Sequence, residues 1–376
     1  MNDYFQAISD NSGLASIYVN LTTKCNLDCK HCYRAPERRT GSHQELPRDL
    51  LEAALGDAKA LGALWVTFSG GEPLLHPEWK RILEMARDLG FAVSLSTNAS
   101  LIDGQTAAFL ADLPIYNIKT TMLGMTEEVH DSLAQRPGSF RKTVSAIQAL
   151  RERDVNVTVS MTAMADNVRQ IPDFVLWAKG LGAVPMVDPH LSGMLDGRLA
   201  SPALRASDED LRWLLLHPVM EEFLEGSEAV ELRPEDAMAK QDGNDTLCTA
   251  GHLSISLNAD GSLWPCVTWP LDLGNLRDVS LKDVWRGSEK LAWVRSLRRS
   301  MAGGCVGCKV RHACVRCPGM AAAVHGDPLA VLDESCRIAR IKSDVLAERT
   351  PISLSVPGLT TSPSDVTGPS GDETDG

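Results

Sequence analysis

Cys25, Cys29 and Cys32 stand in a C-x3-C-x2-C spacing within CNLDCKHC. Three thiolates match three irons of a [4Fe–4S] cube. The fourth iron then lacks a protein ligand, which is what a cluster needs if a small molecule is to chelate it through an amine and a carboxylate; a structural cluster normally takes four cysteines. Zinc also accepts cysteine ligands, so the spacing by itself leaves that alternative open. Further on stands Ser69-Gly70-Gly71-Glu72-Pro73. Glycines there let the backbone approach a ligand closely, and the Glu72 carboxylate can accept hydrogen bonds from an ammonium group. Seven more cysteines follow: Cys248, Cys266, Cys305, Cys308, Cys314, Cys317 and Cys336. The central C-x2-C-x5-C-x2-C run could form a zinc ribbon, but one zinc leaves Cys248, Cys266 and Cys336 unexplained. Seven thiols also exceed one cluster.

These residues need elements to hold them. Short β-branched runs at 16–23, 64–69, 91–96, 115–121, 155–161 and 183–189 alternate with helical or loop segments, a pattern that predicts six βα units and a parallel sheet with helices outside. Trp79, Ile82, Leu83, Ala86 and Leu89 form one helical face, and Phe140, Val144, Ile147 and Leu150 another; both read as core. Cys25, Glu72, the STNAS run from Ser96 to Ser100 and Thr120-Thr121 all fall at the same end of successive strands. Barrel enzymes build their sites at that end. Residues 201–247 read as a linker or helical region broken by Pro202, Pro218 and Pro234. The next unit starts near Cys248, where Asp260-Gly261 marks a hairpin turn. The Ser, Thr, Pro, Gly and Asp-rich stretch at 341–376 reads as a disordered tail, and 1–15 as an N-terminal extension.

Cys25, Cys29 and Cys32 with Gly70-Gly71-Glu72-Pro73 make residues 16–200 similar to the radical S-adenosylmethionine (SAM) superfamily. The resemblance implies an α/β fold, a partial (β/α)6 TIM-type barrel, in which a reduced cluster donates an electron to SAM and releases a 5′-deoxyadenosyl radical. It implies that His31 lies near the adenine, that Glu72 holds the methionine ammonium, and that Thr97 or Asn98, and Thr121, contact the carboxylate or ribose; strand-end capping is the alternative role for these last three. Residues 248–340 resemble the small, Cys-rich C-terminal SPASM domain of enzymes that mature peptides and proteins. Relatives usually place three residues between the last two cysteines of the central run, whereas only Val315 and Arg316 separate Cys314 from Cys317. The resemblance implies that Cys305, Cys308, Cys314 and Cys336 hold an outer auxiliary cluster, and that Cys248, Cys266 and Cys317 hold an inner one.

The function so implied is oxidative modification or cross-linking of a side chain in a ribosomally made precursor peptide. The alternatives are a protein side-chain oxidase like the anaerobic sulfatase maturases, a small-molecule dehydrogenase, and a non-enzymatic iron–sulfur or zinc redox module. Asp188, in VDPH at the end of the sixth strand, is the candidate proton acceptor. A net charge of −12 argues against a nucleic-acid partner, and no long apolar run suits a membrane. With no secretory signal in view, ten cysteines in a reducing cytoplasm read as metal ligands. The basic cluster Lys24, Lys30, Arg34, Arg38 and Arg39 could dock an acidic flavodoxin- or ferredoxin-type electron donor. Fifteen residues before the first strand are too few for a winged peptide-recognition domain, so leader recognition would need a separate protein or the barrel itself.

Overall fold

The computed structural model describes residues 13–35, 43–191, 193–224 and 246–349. Arg38 and Arg39, most of the N-terminal extension and the chain beyond 349 lie outside the described residues. Six strands alternate with helices in order: β1 (Ser16–Asn20), α1 (Arg48–Ala60), β2 (Trp65–Ser69), α2 (Trp79–Asp88), β3 (Ala92–Ser96), α3 (Gly104–Asp112), β4 (Asn117–Thr121), α4 (Glu127–Ala134), α5 (Ser139–Arg151), β5 (Val157–Thr162), α6 (Ile171–Gly180) and β6 (Val184–Asp188). All six strands pair in parallel with their sequence neighbours.

Alternation decides the two faces of this sheet. Ile17, Val19, Val66, Phe68, Val93, Leu95, Ile118, Val159 and Met161 are buried in the main core together with Ile82, Leu83, Ile147 and Leu150 of the helices. The residues between them on each strand point the other way, and they are mostly hydroxyls and amides. Leu89 falls just beyond the end of α2 and is exposed, so it drops out of the predicted stripe.

Two boundaries differ from those expected. The hairpin strands β7 (Ser254–Leu257) and β8 (Leu263–Trp264) do not start a separate sheet. β7 pairs in parallel with β1 over Ser16–Val19, and the single eight-stranded sheet runs β6-β5-β4-β3-β2-β1-β7-β8, open at its edges. The physical reason is that β1 has no neighbour on that side, and Ile255 and Leu257 continue its apolar row. Residues 202–224 carry α7 (Asp208–Leu216), led by a Ser207 cap, and α8 (Glu221–Leu224), and Leu211, Leu214 and Leu215 are buried in the main core. Order also continues past 341. After α9 (Leu281–Gly287), α10 (Glu289–Ser296) and α11 (Pro318–His325), the last helix, α12, runs Asp333–Arg349. Its Ile338, Ile341 and Val345 are buried in the main core, Arg337 reaches Asp208 and the Ala206 carbonyl, and the Arg349 guanidinium donates to the Leu215 and His217 carbonyls at 2.9 and 3.2 Å. No helix among the described residues is long and apolar enough to cross a membrane.

Candidate active site

The loop after β1 carries Cys25, Cys29 and Cys32, all half-buried thiols. It is held against the loop after β2 by backbone: the Gly71 N–H donates to the Thr22 carbonyl and the Glu72 N–H to the Lys24 carbonyl, both at 2.7 Å. A Cβ on Gly71 would lie 2.1 Å from the Lys24 oxygen, and one on Gly70, at φ +140°, would lie 2.4 Å from the Thr22 oxygen. These glycines therefore let the cysteine loop approach its own neighbour, a closeness the sequence reading had assigned to a ligand.

Glu72 is wholly buried beneath that contact. Its carboxylate accepts from Thr97 Oγ1 at 2.7 Å, the Asn98 N–H at 2.8 Å and the Leu74 N–H at 3.1 Å. Burial raises its carboxyl to about 7, against the opposing pull of these three donors. A carboxylate offers about four lone-pair sites, so one on Oε2 is left for an ammonium. Asn98 is spread across the loop: its Nδ2 donates to Asn26 Oδ1 at 2.8 Å and reaches Cys25 Sγ at 4.0 Å, and its Oδ1 accepts from Ser100. Thr97 and Asn98 thus brace Glu72 and the cysteine loop. Ser100, the last residue of the STNAS run, and Asn26, which carries no signal in the sequence beyond its polarity, complete this network.

Elsewhere on the same face, Thr121 Oγ1 meets Ser160 Oγ at 3.2 Å. His31 keeps an unpartnered buried Nδ1, and burial lowers its imidazole to about 4, leaving a neutral ring. Asp188 ends β6 and accepts from the His190 N–H at 2.8 Å. Across from it stands Lys342 of α12, whose amine burial depresses while Asp188 and then Cys314 act to raise it. Periodicity could not have shown Lys342, because the stretch around it read as a tail.

The seven C-terminal thiols fall into two groups. Thr268 Oγ1 lies 3.6 Å from both Cys266 Sγ and Cys317 Sγ, and Cys248 packs with Cys266 against Leu247, Ala250 and Trp269. The other four share a field. Burial first, then Cys336, Cys305 and Cys308, raises the Cys314 thiol. Tyr33 joins the first motif to the group of Cys266, since after burial and Tyr18 its phenol is raised by both Cys32 and Cys266, with Arg34 opposing.

Residues 19–178 match the family model described as the Radical SAM superfamily, and residues 248–317 match SPASM, the iron–sulfur cluster-binding domain. The chain carries a radical SAM domain followed by a SPASM domain. The AdoMet-dependent heme synthase of Methanosarcina barkeri is 25% identical over 330 residues, covering 82% of this chain and 92% of that protein. The PqqA peptide cyclase of Rhodopseudomonas palustris is 25% identical over 284 residues, covering 73% and 74%. The solved structure of native anSMEcpe with bound AdoMet and Cp18Cys peptide aligns with a TM-score of 0.67 over 90% of this chain and 98% of that one, at 19% identity, a likeness of fold. The cofactors of this radical SAM enzyme are SAM, a [4Fe–4S] cluster at the SAM site and auxiliary iron–sulfur clusters in the SPASM domain.

The thiol groups suit such clusters. The Ala250 N–H donates to Cys248 Sγ and the Met320 N–H to Cys317 Sγ, each at 3.4 Å, contacts that favour an anionic ligand sulfur. Cys317 also caps the N-terminus of α11, where the helix dipole favours negative charge. Among the described residues no three His, Cys, Asp or Glu side chains are gathered as closely as one metal ion requires.

Proposed function

We propose that this radical SAM/SPASM enzyme oxidatively modifies or cross-links a side chain of a ribosomally made precursor peptide in the cytoplasm. The observation that carries this reading is the polar face of the sheet. Tyr18, Thr67, Ser94, Asn117, Thr158 and Ser160 alternate with the core residues; Asn117 Nδ2 donates to Thr158 Oγ1 at 3.0 Å and Ser160 Oγ to the Thr120 carbonyl at 3.1 Å, so that face is a polar, internally bonded lining of the kind that suits a peptide substrate.

With clusters and SAM bound, the cofactors supply one-electron chemistry and a hydrogen-abstracting radical. The chain's own residues orient and exclude water. Cys25, Cys29 and Cys32 hold the cluster at the SAM site, and Glu72, braced by Thr97 and Asn98, binds the methionine ammonium. Cys248, Cys266 and Cys317 hold one auxiliary cluster, with Cys266 near Tyr33 of the first loop, and Cys305, Cys308, Cys314 and Cys336 hold the other. Asp188 and Lys342 are the ionisable pair at the β6 end of the face, with Asp188 placed to take a proton. The heme synthase relatives, which align over more of the chain than the peptide cyclase, support a second reading: a small-molecule substrate.

One anaerobic assay separates the two. The reconstituted enzyme with SAM and dithionite is offered short peptides encoded beside its gene and, in parallel, iron porphyrins, and the products are read by mass spectrometry. Loss of two hydrogens from a peptide is expected. Turnover of a porphyrin with every peptide unchanged would reverse the order of the two readings.

A further inference from the structure

Charge is unevenly placed in this chain. The whole carries −12, yet no Asp or Glu stands between Glu289 and Asp327. That acid-free stretch holds the loop of Cys305, Cys308 and Cys314, and its Arg298, Lys309 and Arg311 are exposed. Arg340 of α12 adds an exposed cation one turn from Cys336 on the same helix. Apolar side chains stand out in the same loop: Met301 is 53% exposed, Val306 63% and Val315 62%. Cys308 is the one cysteine of the ten that is exposed.

The basic residues around the first motif are placed differently. Lys24 pairs with Glu45 at 2.7 Å, Lys30 donates to Ser132 Oγ at 3.0 Å, and Arg34 is buried. Among the described residues these three form no open cationic surface.

Cations around exposed apolar groups suit a small, transient protein contact, steered by charge at long range and held by apolar packing at short range. Over Cys308 such a contact would bring a partner's redox centre to the outermost point of the outer thiol group. We propose that the exposed loop from Met301 to Val315 is the docking surface for an acidic one-electron carrier protein of the flavodoxin or ferredoxin kind. The proposal rests on reading Cys305, Cys308, Cys314 and Cys336 as the ligands of one cluster. It moves the carrier's site away from the first motif.

The test measures binding of a purified acidic flavodoxin to the full-length, cluster-loaded protein, by calorimetry at about 50 mM and about 300 mM salt. Wild-type affinity should fall steeply with salt. The double variant Lys309→Glu/Arg311→Glu should bind at least about tenfold more weakly, with Lys309→Gln/Arg311→Gln between the two and Lys30→Glu within about twofold of wild type. Undiminished binding by the double variant, loss of binding in Lys30→Glu with its iron content intact, or a polyglutamate of matched charge binding as tightly as the flavodoxin would each overturn the proposal. Iron and zinc analysis of the same samples reports on the cluster reading by itself: zinc at the outer group would sink that reading, while the flavodoxin measurements still locate the docking surface.

Discussion

Glu72 joins geometry to ionisation. Its buried carboxyl titrates near 7, so below that pH it is neutral and offers little to an ammonium, and above it the carboxylate attracts one. SAM affinity should therefore rise between about pH 6 and pH 8. Glu72→Gln should abolish the rise and leave affinity about ten- to a hundredfold weaker above neutrality, the loss of one charge-assisted hydrogen bond. Equilibrium titration with SAM checks this, and an unchanged pH slope in the variant would remove Glu72 from the ammonium site. The same shift has a sign for folding. Between the ordinary value of 4.5 and about 7 the folded carboxyl keeps a proton that the unfolded chain has released, so stability falls with rising pH by about 1.4 kcal/mol per unit in that window. Glu72→Gln should flatten this slope in the unloaded protein.

At the scale of elements, the site is two loops pressed together. β1 and β2 are in register from Ser16 opposite Trp65 to Asn20 opposite Ser69, so their loops leave the sheet side by side. Gly70 and Gly71 allow contact between them without a side chain in the gap. In Gly71→Ala the new methyl meets the backbone carbonyl of Lys24, which has no flexible end to swing away. About 1–3 kcal/mol of overpacking is expected, and the displaced loop should lose the cluster at the SAM site. Iron should fall by about a third if each cluster is [4Fe–4S], with the SPASM iron retained. Full iron content with normal SAM binding would show that the loops can part without harm.

For the whole molecule, α12 ties the end of the described chain back onto α7. Truncation after Ile341 removes buried Val345, the Arg349 bonds to the Leu215 and His217 carbonyls, and the Arg212–Glu348 pair. That loss should lower stability by roughly 3 kcal/mol, from the burial of one valine and two or three hydrogen bonds. Truncation after Arg349 takes away a Ser, Thr, Pro and Gly-rich segment and should change neither melting temperature nor cluster content. Thermal unfolding of the two truncated proteins is the measurement; equal melting temperatures would mean that the last turns of α12 add nothing.

Local information was enough for much of this. Cysteine spacing, the SGGEP run and the six apolar runs are short-range patterns, and each reports either ligand chemistry or a strand period, so the radical SAM core and the cluster-bearing C-terminal region are legible in the chain. What pairs over long sequence distances was not. β7 joins β1 across more than two hundred residues because β1 offers an open edge, a fact that neither segment carries alone. Lys342 reaches the β6 end only because α12 folds back over α7, Thr268 lies between Cys266 and Cys317 through packing, and Glu72 acquires its raised carboxyl from complete burial. Residue types and spacing determined which chemistry this protein could do. Tertiary burial decided where the charges, the open edge and the exposed thiol lie, because solvation depends on everything that surrounds a group and not on its neighbours in sequence.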